Sequence, residues 1–241
     1  MINKYNEQEL AEYMIENGFS SNKKFYELSV LSRYLFSKGK KKEEIKNDLI
    51  LFCDRYFENF NYVKYSATLN KIVNSCGKFK LLQVGNIDIT QKEINKCKEI
   101  DTEQTGMVFF TLLCLYKISK YFRNSAYINE KYSVIMKMSG VQKRSTLMRI
   151  LKHLHDNKYI RICINGSIEW TTEIEEDDNI VIHVKDIMNC SLYYKNYLFN
   201  GYKECELCGK MIRRISNNKY CSSCAKETER RRKREYYQKN K

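Results

Sequence analysis

The chain has 241 residues, 43% of them hydrophobic, which is enough for one large domain or for two to three small domains with real cores. A formal net charge of +14 indicates an anionic partner such as nucleic acid. The N-terminal sequence MINKYNEQEL is too polar for a secretion signal, and the longest apolar run, Met107 to Tyr116, is too short to cross a bilayer. We therefore expect a soluble, cytoplasmic protein with no membrane partner.

Residues 1–80 have the periodicity of four amphipathic helices that can bury a bundle core between them. Asn6 and Glu9 have the spacing of a capping box, so we expect the first helix to begin at Asn6; it is expected to end at Gly18. Ser20 or Ser21 is expected to cap the second helix, and the fourth runs into Gly77. This helical N-terminal domain carries no visible chemistry, so we expect it to pack a core and to offer a surface for a protein partner or for self-association.

Residues 81–100 are predicted to be a connector with a short helix. Leu81 to Ile89 is expected to be extended, and Thr90 with Glu93 forms a second capping box that opens a helix to about Ile100. The following helix, roughly Glu103 to Phe122, is apolar nearly all round between Met107 and Ile118. It is therefore predicted to be the buried central helix of a second domain, residues 101–200.

Two helices joined by a turn at Gly140 follow, Tyr132 to Val141 and Lys143 to Asn157. Four apolar residues of the longer helix recur with helical spacing and predict a face packed on a core: Leu147, Ile150, Leu151 and Leu154. The beginning and opposite face of this helix carry basic and small polar residues: Lys143, Arg144, Ser145, Arg149 and Lys152. Such a face suits the major groove of DNA.

Alternating strands follow this helix. Tyr159 to Ile164 and Ile168 to Ile174 flank the turn Asn165–Gly166, and Asn179 to Val184 is expected to add a further strand to the same wing. The stretch GVQKRSTLMRILKHLHDNKYIRICING resembles the winged-helix DNA-binding domains of bacterial regulators and replication proteins, over roughly residues 101–190. The resemblance implies that Arg144, Ser145, Arg149 and Lys152 contact a groove or its phosphates.

An acidic loop, residues 173–178, departs from that pattern, because an acidic wing tip would be repelled by phosphates. Either the wing points away from DNA, or this domain binds protein. A third interpretation, a carboxylate metal site, is weaker because the loop lacks the glycine of a calcium-binding pattern.

Two Cys-x-x-Cys pairs separated by twelve residues indicate a structural Zn²⁺ site, with the ligands Cys205, Cys208, Cys221 and Cys224. Gly209 allows the tight turn after the first pair. Disulfides or ordinary buried cysteines are the alternative, weaker because so short a polar segment needs a staple to fold. The other six cysteines are scattered singly, as is usual in a reducing compartment: Cys53, Cys76, Cys97, Cys114, Cys163 and Cys190.

Met211 and Ile212, with Ile215, are predicted to form a short hairpin closed around Asn217 and Asn218. A helix is expected from Ala225 to about Lys239. Together with the cysteine pairs, these elements resemble a treble-clef zinc finger, with a simpler zinc ribbon as the near alternative. The resemblance covers residues 201–241.

Residues 203–241 hold thirteen lysines and arginines against five glutamates, a net +8 of the total +14. Five basic residues are consecutive: Arg230, Arg231, Arg232, Lys233 and Arg234. Such an arm gains affinity for nucleic acid by releasing counterions, and the guanidinium group binds phosphate bidentately. A disordered solubilising tail is the alternative.

The predicted fold class is mainly α, with a helical N-terminal bundle, a winged helix-turn-helix of α+β type and a small C-terminal zinc finger. This order is similar to that of uncharacterised proteins of phages and mobile elements in low-GC Gram-positive bacteria. No phosphate-binding loop or hydrolase motif is present, so we expect no enzyme. The leading hypothesis is a double-stranded-DNA-binding regulator or replication accessory factor; the alternative is a protein-binding adaptor whose zinc is purely structural.

Overall fold

Across residues 5–215 and 217–239, which the computed structural model describes, the chain is mainly helical with three small antiparallel sheets. Residues 1–4, 216, 240 and 241, which the predicted domains 1–80 and 201–241 include, lie outside these ranges. Two compact units divide the chain, Met1–Gly85 and Asn86–Lys241. Within the described ranges, no helix combines the length and apolar character needed to cross a membrane.

The first unit consists of four helices: α1 Glu7–Asn17, α2 Lys24–Ser37, α3 Lys42–Tyr56 and α4 Tyr62–Ser75. The predicted start of α1 is confirmed, because the side chain of Asn6 accepts a hydrogen bond from the N–H of Glu9 at 3.2 Å. Each helix contributes fully buried side chains to one core, among them Met14, Leu28, Ile45, Leu49 and Leu69. The apolar face of each helix therefore forms the bundle core.

The prediction that Ser20 or Ser21 caps α2 was wrong. The residue before α2 is Lys23, and its side chain makes no capping hydrogen bond. The hydroxyls of Ser20 and Ser21 donate instead to the carboxylate of Glu27, at 2.8 and 2.5 Å. Glu27 is only 2% exposed, and a buried carboxylate requires donors more than an exposed helix end does.

The first unit extends to residue 85 because residues 82 and 84 are bonded to the beginning of α1. The N–H of Glu7 donates to the carbonyl oxygen of Leu82 at 2.7 Å, and the N–H of Leu82 donates to the Glu7 carboxylate at 2.9 Å. The N–H of Val84 donates to the carbonyl oxygen of Tyr5 at 2.9 Å. The predicted connector 81–100 is thus divided between the two units.

The helices of the second unit are α5 Gln91–Lys98, α6 Glu103–Arg123, α7 Tyr132–Ser139, α8 Arg144–Asp156, α9 Cys190–Phe199 and α10 Ser222–Lys239. The capping box of Thr90 and Glu93 is confirmed at the start of α5. Helix α6 is the buried central helix, since Phe109, Phe110 and Leu112 are all fully buried. Helix α9 has no counterpart in the sequence interpretation; it packs against α6, where Tyr194 stacks on Phe110.

The strands are β1 Ile87–Thr90, β2 Tyr127–Ile128, β3 Ile160–Ile162, β4 Ile168–Trp170, β5 Ile180–Val184, β6 Tyr202–Glu204 and β7 Met211–Arg213. They pair as β1 with β5, as β2-β4-β3, and as β6 with β7. The predicted hairpin of β3 and β4 is confirmed: it turns at Asn165 and Gly166, where Gly166 has φ +79°.

The prediction that β5 completes the wing was wrong. The third strand of the sheet that contains β3 and β4 is β2, which lies between α6 and α7 and pairs with β4. Strand β5 pairs with β1, of which residues 87–89 were expected to be part of an extended connector. Each of the two strands buries apolar side chains on one face, and these side chains favour the pairing. They are Ile87 and Ile89 of β1 and Ile182 and Val184 of β5.

Candidate metal centre and nucleic-acid interface

The four paired cysteines converge on one point. The sulfur atoms of Cys205, Cys208, Cys221 and Cys224 all lie within 4.8 Å of one another. The Sγ atoms of Cys208 and Cys221 are 3.7 Å apart, and four sulfurs around Zn²⁺ with bonds of about 2.3 Å would be about 3.8 Å apart along each tetrahedral edge. The cluster therefore has the size and the soft donor set of a site for one metal ion.

A tight turn presents the first pair. The N–H of Cys205 donates to the carbonyl oxygen of Lys210 at 2.8 Å, and the N–H of Gly209 donates back to the carbonyl oxygen of Cys205 at 2.9 Å. Gly209 has φ +67°, a left-handed conformation that costs glycine little. The turn joins β6 to β7, so these two strands form a hairpin around the first cysteine pair.

The predicted hairpin closed around Asn217 and Asn218 was therefore wrong, because β7 pairs backwards with β6. Asn218 instead braces the loop after β7, donating from its side chain to the carbonyl oxygen of Arg213 at 3.0 Å. The second cysteine pair lies at the start of α10, where Cys221 directly precedes the helix and Cys224 is in its first turn. The helix begins at Ser222, three residues before the predicted start.

Backbone N–H groups favour the thiolate form at two of the cysteines. The N–H of Cys221 donates to Cys205 Sγ at 3.2 Å, and the N–H of Cys224 donates to Cys221 Sγ at 3.5 Å. Burial raises the pKa of Cys205, but bonds from the N–H groups of Cys221, Leu207 and Cys208 outweigh it and lower the pKa to about 6. Hydrogen bonds with the Cys208 and Cys221 thiols raise the pKa of Cys224 to about 12. Cysteine binds a metal as the thiolate, so a cation bound here would displace the thiol protons.

The disulfide alternative is overturned, because all ten cysteines are free thiols. Of the six scattered cysteines, five are buried and Cys163 is half-buried. Burial raises the pKa of Cys53 to about 12. These residues fill the cores as small apolar side chains.

Helix α9 and the segment before it are bonded to the hairpin that carries the first cysteine pair. The hydroxyl of Tyr193 accepts from the N–H of Asp186 at 3.0 Å and donates to the carbonyl oxygen of Gly209 at 3.4 Å. The N–H of Tyr202 donates to the side-chain oxygen of Asn196 at 2.9 Å. Lys185 forms an ion pair with Glu204 at 2.8 Å. Tyr193, Asn196 and Lys185 thus bond the segment that carries the cysteines to the rest of the second unit.

The structure buries the face of α8 that was predicted to pack on a core and exposes the opposite face. Leu147, Leu151 and Leu154 are fully buried. The five predicted interface residues are exposed, with Lys143 immediately before α8 and the others within it: Lys143, Arg144, Ser145, Arg149 and Lys152. The helix thus brings its basic residues together on the side that faces solvent.

Met148 is a candidate interface residue that the sequence interpretation missed. It is 37% exposed, and it lies four residues after Arg144 and four before Lys152, in the middle of the basic face. The signal available in the sequence was its separation of four residues from both Arg144 and Lys152, which places it on the same helix face. An apolar residue at such a position is nevertheless easily assigned to the core. His153, by contrast, is engaged with Asp101, whose carboxylate is 3.0 Å from its Nε2.

The hairpin turn and the beginning of α8 line one cleft of about 460 Å³. Arg144 lies on one wall and Asn165, Gly166 and Ser167 on another, while residues 129–133, where the chain enters α7, form a third. The residue at the turn, Ile164, is fully exposed. The hairpin and the basic face of α8 are therefore neighbours.

The acidic loop is not at the wing tip. It lies between β4 and β5 and is bonded to the first turn of α5: the N–H of Lys92 donates to Asp177 Oδ2 at 3.0 Å, and Lys92 Nζ lies 2.8 Å from Glu175. Hydrogen bonds from the N–H groups of Asn179 and Lys92 lower the pKa of Asp177. The loop therefore caps a helix, and the expected repulsion between an acidic wing tip and phosphate does not arise.

The five consecutive basic residues at 230–234 are all exposed, but α10 distributes them around its circumference. Three of them have a carboxylate neighbour: Arg231 lies 3.7 Å from Glu235, Lys233 lies 2.8 Å from Glu229, and Arg234 lies 3.9 Å from Glu227. Within the described residues, Arg230 and Arg232 have none. The run is therefore not one patch.

No protein-family model matches the chain, and neither curated protein sequences nor solved structures give a significant match.

Proposed function

We propose that this protein binds double-stranded DNA as a regulator or replication accessory factor without catalysing a reaction, and that α8 enters the major groove. The observation that carries the proposal is the division of α8 into a buried leucine face and an exposed face with Arg144, Arg149 and Lys152. An α-helix fits the major groove, and arginine or lysine can bind guanine there. The exposed Met148 supplies an apolar surface for thymine methyl groups.

The order of elements supports this assignment. Helix α6, strand β2, helices α7 and α8 and the hairpin β3–β4 succeed one another, and β2 pairs with β4 in the sheet β2-β4-β3. This order resembles that of a winged-helix domain, in which α8 would be the recognition helix and the turn at Asn165 and Gly166 the wing tip. Gly140, with φ +72°, makes the turn between α7 and α8.

We further propose that the metal is one structural Zn²⁺ in a treble-clef finger. A hairpin presents the first cysteine pair and the start of a helix presents the second, an arrangement that resembles a treble-clef finger. Four thiolates complete a tetrahedron and leave no open position for a substrate. The metal would therefore stabilise the finger and hold the beginning of α10.

The test is selection of bound duplexes from a random DNA library, followed by titration of the double variant Arg149→Gln/Lys152→Gln. We expect a recovered motif and a loss of about 1–3 kcal/mol of discrimination per lost base contact. The matched control is Lys71→Gln/Lys78→Gln, which removes two exposed positive charges from the first unit. If wild-type protein shows no duplex binding at low salt, the proposal is wrong.

A second candidate function, binding of a protein partner or self-association, is favoured by the surface of the first unit. Leu51, Val63 and Phe79 are 67%, 83% and 67% exposed, and large apolar side chains left in water often mark an interface. Sedimentation of the full chain at increasing concentration tests self-association. A monomer throughout the range, together with no captured partner after nuclease treatment, would leave this candidate without support.

A further inference from the structure

We propose that one face of α10 lies along a sugar-phosphate strand of duplex DNA. This cationic face consists of Lys226, Arg230, Lys233, Arg234 and Tyr237. The inference rests on the proposed DNA-binding function, and it changes which residues of the C-terminal arm are expected to matter.

The first observation is that α10 has no buried side. From residue 225 to 238 only Thr228 is partly buried, and every other side chain is exposed. Among the described residues, then, nothing covers this part of the helix. A helix that is polar all round is stabilised by its own ion pairs or by a partner, and isolated helices of this length are marginal in water. A partner that binds one face would therefore add to its stability.

The second observation is the distribution of charge around the helix. At about 100° per residue, the five residues of the cationic face fall within a sector of about 100°. Lys233 and Arg234 form the edges of this sector, and Arg230 and Tyr237 lie near its middle. The three glutamates of α10 lie outside the sector. Arg231 and Arg232, although consecutive with Arg230, point to other sides of the helix.

The ion pairs lie at the edges of the cationic face or outside it, and Arg234, at one edge, lies 3.9 Å from Glu227. Arg231 lies outside the sector, 3.7 Å from Glu235. Glu229, at the edge of the cationic face, lies 2.8 Å from Lys233, which lowers the pKa of the glutamate. Within the part of the chain that the structure describes, Lys226 and Arg230 have no carboxylate partner. The middle of the cationic face therefore keeps its charge available for an external anion.

The dimensions and chemistry fit a phosphate strand. From Lys226 to Tyr237 the helix rises about 16 Å, at 1.5 Å per residue, with a cation at every turn. Arginine binds phosphate bidentately, and tyrosine hydroxyls also donate to phosphate oxygens. A helix with its side chains is about 10–12 Å wide and fits the rim of the major groove of B-DNA, whereas the major groove of RNA is too narrow for side chains to read.

The sequence of α10 offers a matched pair of variants for the test. Arg230→Gln/Lys233→Gln removes two charges from the cationic face, and Arg231→Gln/Arg232→Gln removes two charges from the other sides. Each double variant removes one residue that is ion-paired and one that is not. The two variants therefore have the same net charge and lose the same number of ion pairs, and their changes in helix propensity are similar because arginine, lysine and glutamine are all good helix formers.

The experiment measures the affinity of the full chain for one B-DNA duplex between 50 and 300 mM salt, and compares the slopes of log K against log salt. We expect the slope to fall by about 2 for Arg230→Gln/Lys233→Gln, since each phosphate contact contributes about 0.9. We expect little change for Arg231→Gln/Arg232→Gln. Circular dichroism and bound metal, unchanged in both variants, show that each remains folded.

Equal slopes for the two double variants would overturn the inference, because the arm would then act as a diffuse cationic tail while the proposed function stands. Slopes equal to that of wild type would also overturn it. Equal affinity for an RNA duplex, with the same difference between the variants, would overturn the assignment to DNA. If wild-type protein binds no duplex at all, the proposed function fails as well.

Discussion

Asp177 accepts a hydrogen bond of 3.0 Å from the backbone N–H of Lys92, a residue 85 positions earlier in the chain. The loop that contains Asp177 is the most acidic part of the second unit by sequence, and this bond assigns it a structural role. Through this bond, the Asp177 carboxylate provides an acceptor for one of the backbone N–H groups that have no partner within the first turn of α5. Two of the five acidic side chains of the loop, Asp177 and Glu175, are therefore engaged with Lys92 of α5.

The bond predicts a dependence of stability on pH. The N–H groups of Asn179 and Lys92 hold the pKa of Asp177 below its ordinary value, so the bond contributes fully above about pH 4 and is lost as the pH falls through the folded-state pKa. The variant Asp177→Asn should lose this acid-sensitive part of the free energy of unfolding, measured by denaturant titration from about pH 2.5 to 7. Asp178→Asn, in the same exposed loop, is the control. An unaltered pH profile for Asp177→Asn would contradict the assignment.

Metal content gives a second prediction. The wild-type protein should carry one zinc per chain by elemental analysis, and Cys205→Ser/Cys221→Ser should carry none. Since apparent binding energies of structural zinc are on the order of 10 kcal/mol, loss of the metal should expose the amides of β6 and β7 to hydrogen exchange while those of α6 stay protected. Cys163→Ser, outside the cluster, should retain the metal. A zinc-free wild-type protein with a protected finger would be inconsistent with the metal site.

The two faces of α8 predict opposite effects on stability and binding. Leu151 is fully buried, so Leu151→Ala should cost about 2–5 kcal/mol in free energy of unfolding. Met148→Ala, at an exposed position on the same helix, should change stability by less than about 1 kcal/mol while weakening DNA binding. Chemical denaturation and duplex titration of both variants measure the two effects. A large stability loss for Met148→Ala would place that side chain in the core instead.

The contact between α6 and α9 predicts a steric effect. A Cβ atom on Gly106 would lie 2.7 Å from the hydroxyl oxygen of Tyr194, and that hydroxyl donates to the carbonyl oxygen of Cys97 at 3.0 Å. Gly106→Ala should therefore cost about 1–3 kcal/mol, read from the midpoint of thermal unfolding. Gly85→Ala is a suitable control, because nothing lies within 4 Å of the added Cβ. Equal stability of the two variants would mean that α9 can move away at little cost.

Local chemistry made part of the molecule predictable from sequence. Asn6 and Thr90 were identified as caps because a cap depends on residues within one turn. The buried face of α8 was identified because its leucines repeat with the helical period. The cysteine cluster was identified because ligand spacing restricts the geometry of a metal site.

Other features depend on contacts that no local pattern records. Strand β2 has two residues, too few for a period of two to show. Helix α9 carries aromatic residues on several sides, so it has no clear apolar stripe although Tyr193 and Tyr194 are both buried. The pairing of β1 with β5 joins segments about ninety residues apart. The basic run 230–234 is consecutive in sequence, but a helix turns adjacent residues in different directions, so the run alone does not say which of its residues share a face.

The pairing of β1 with β5 also determines where the second unit can be cut. A fragment that began after residue 90 would lose β1 and leave the backbone of β5 unpaired, with Ile182 and Val184 beside it. An open, apolar strand edge is a template for intermolecular pairing, so we expect such a fragment to aggregate. The four residues of β1, three of them expected to be part of an extended connector, would thus protect the unit from association with its own copies.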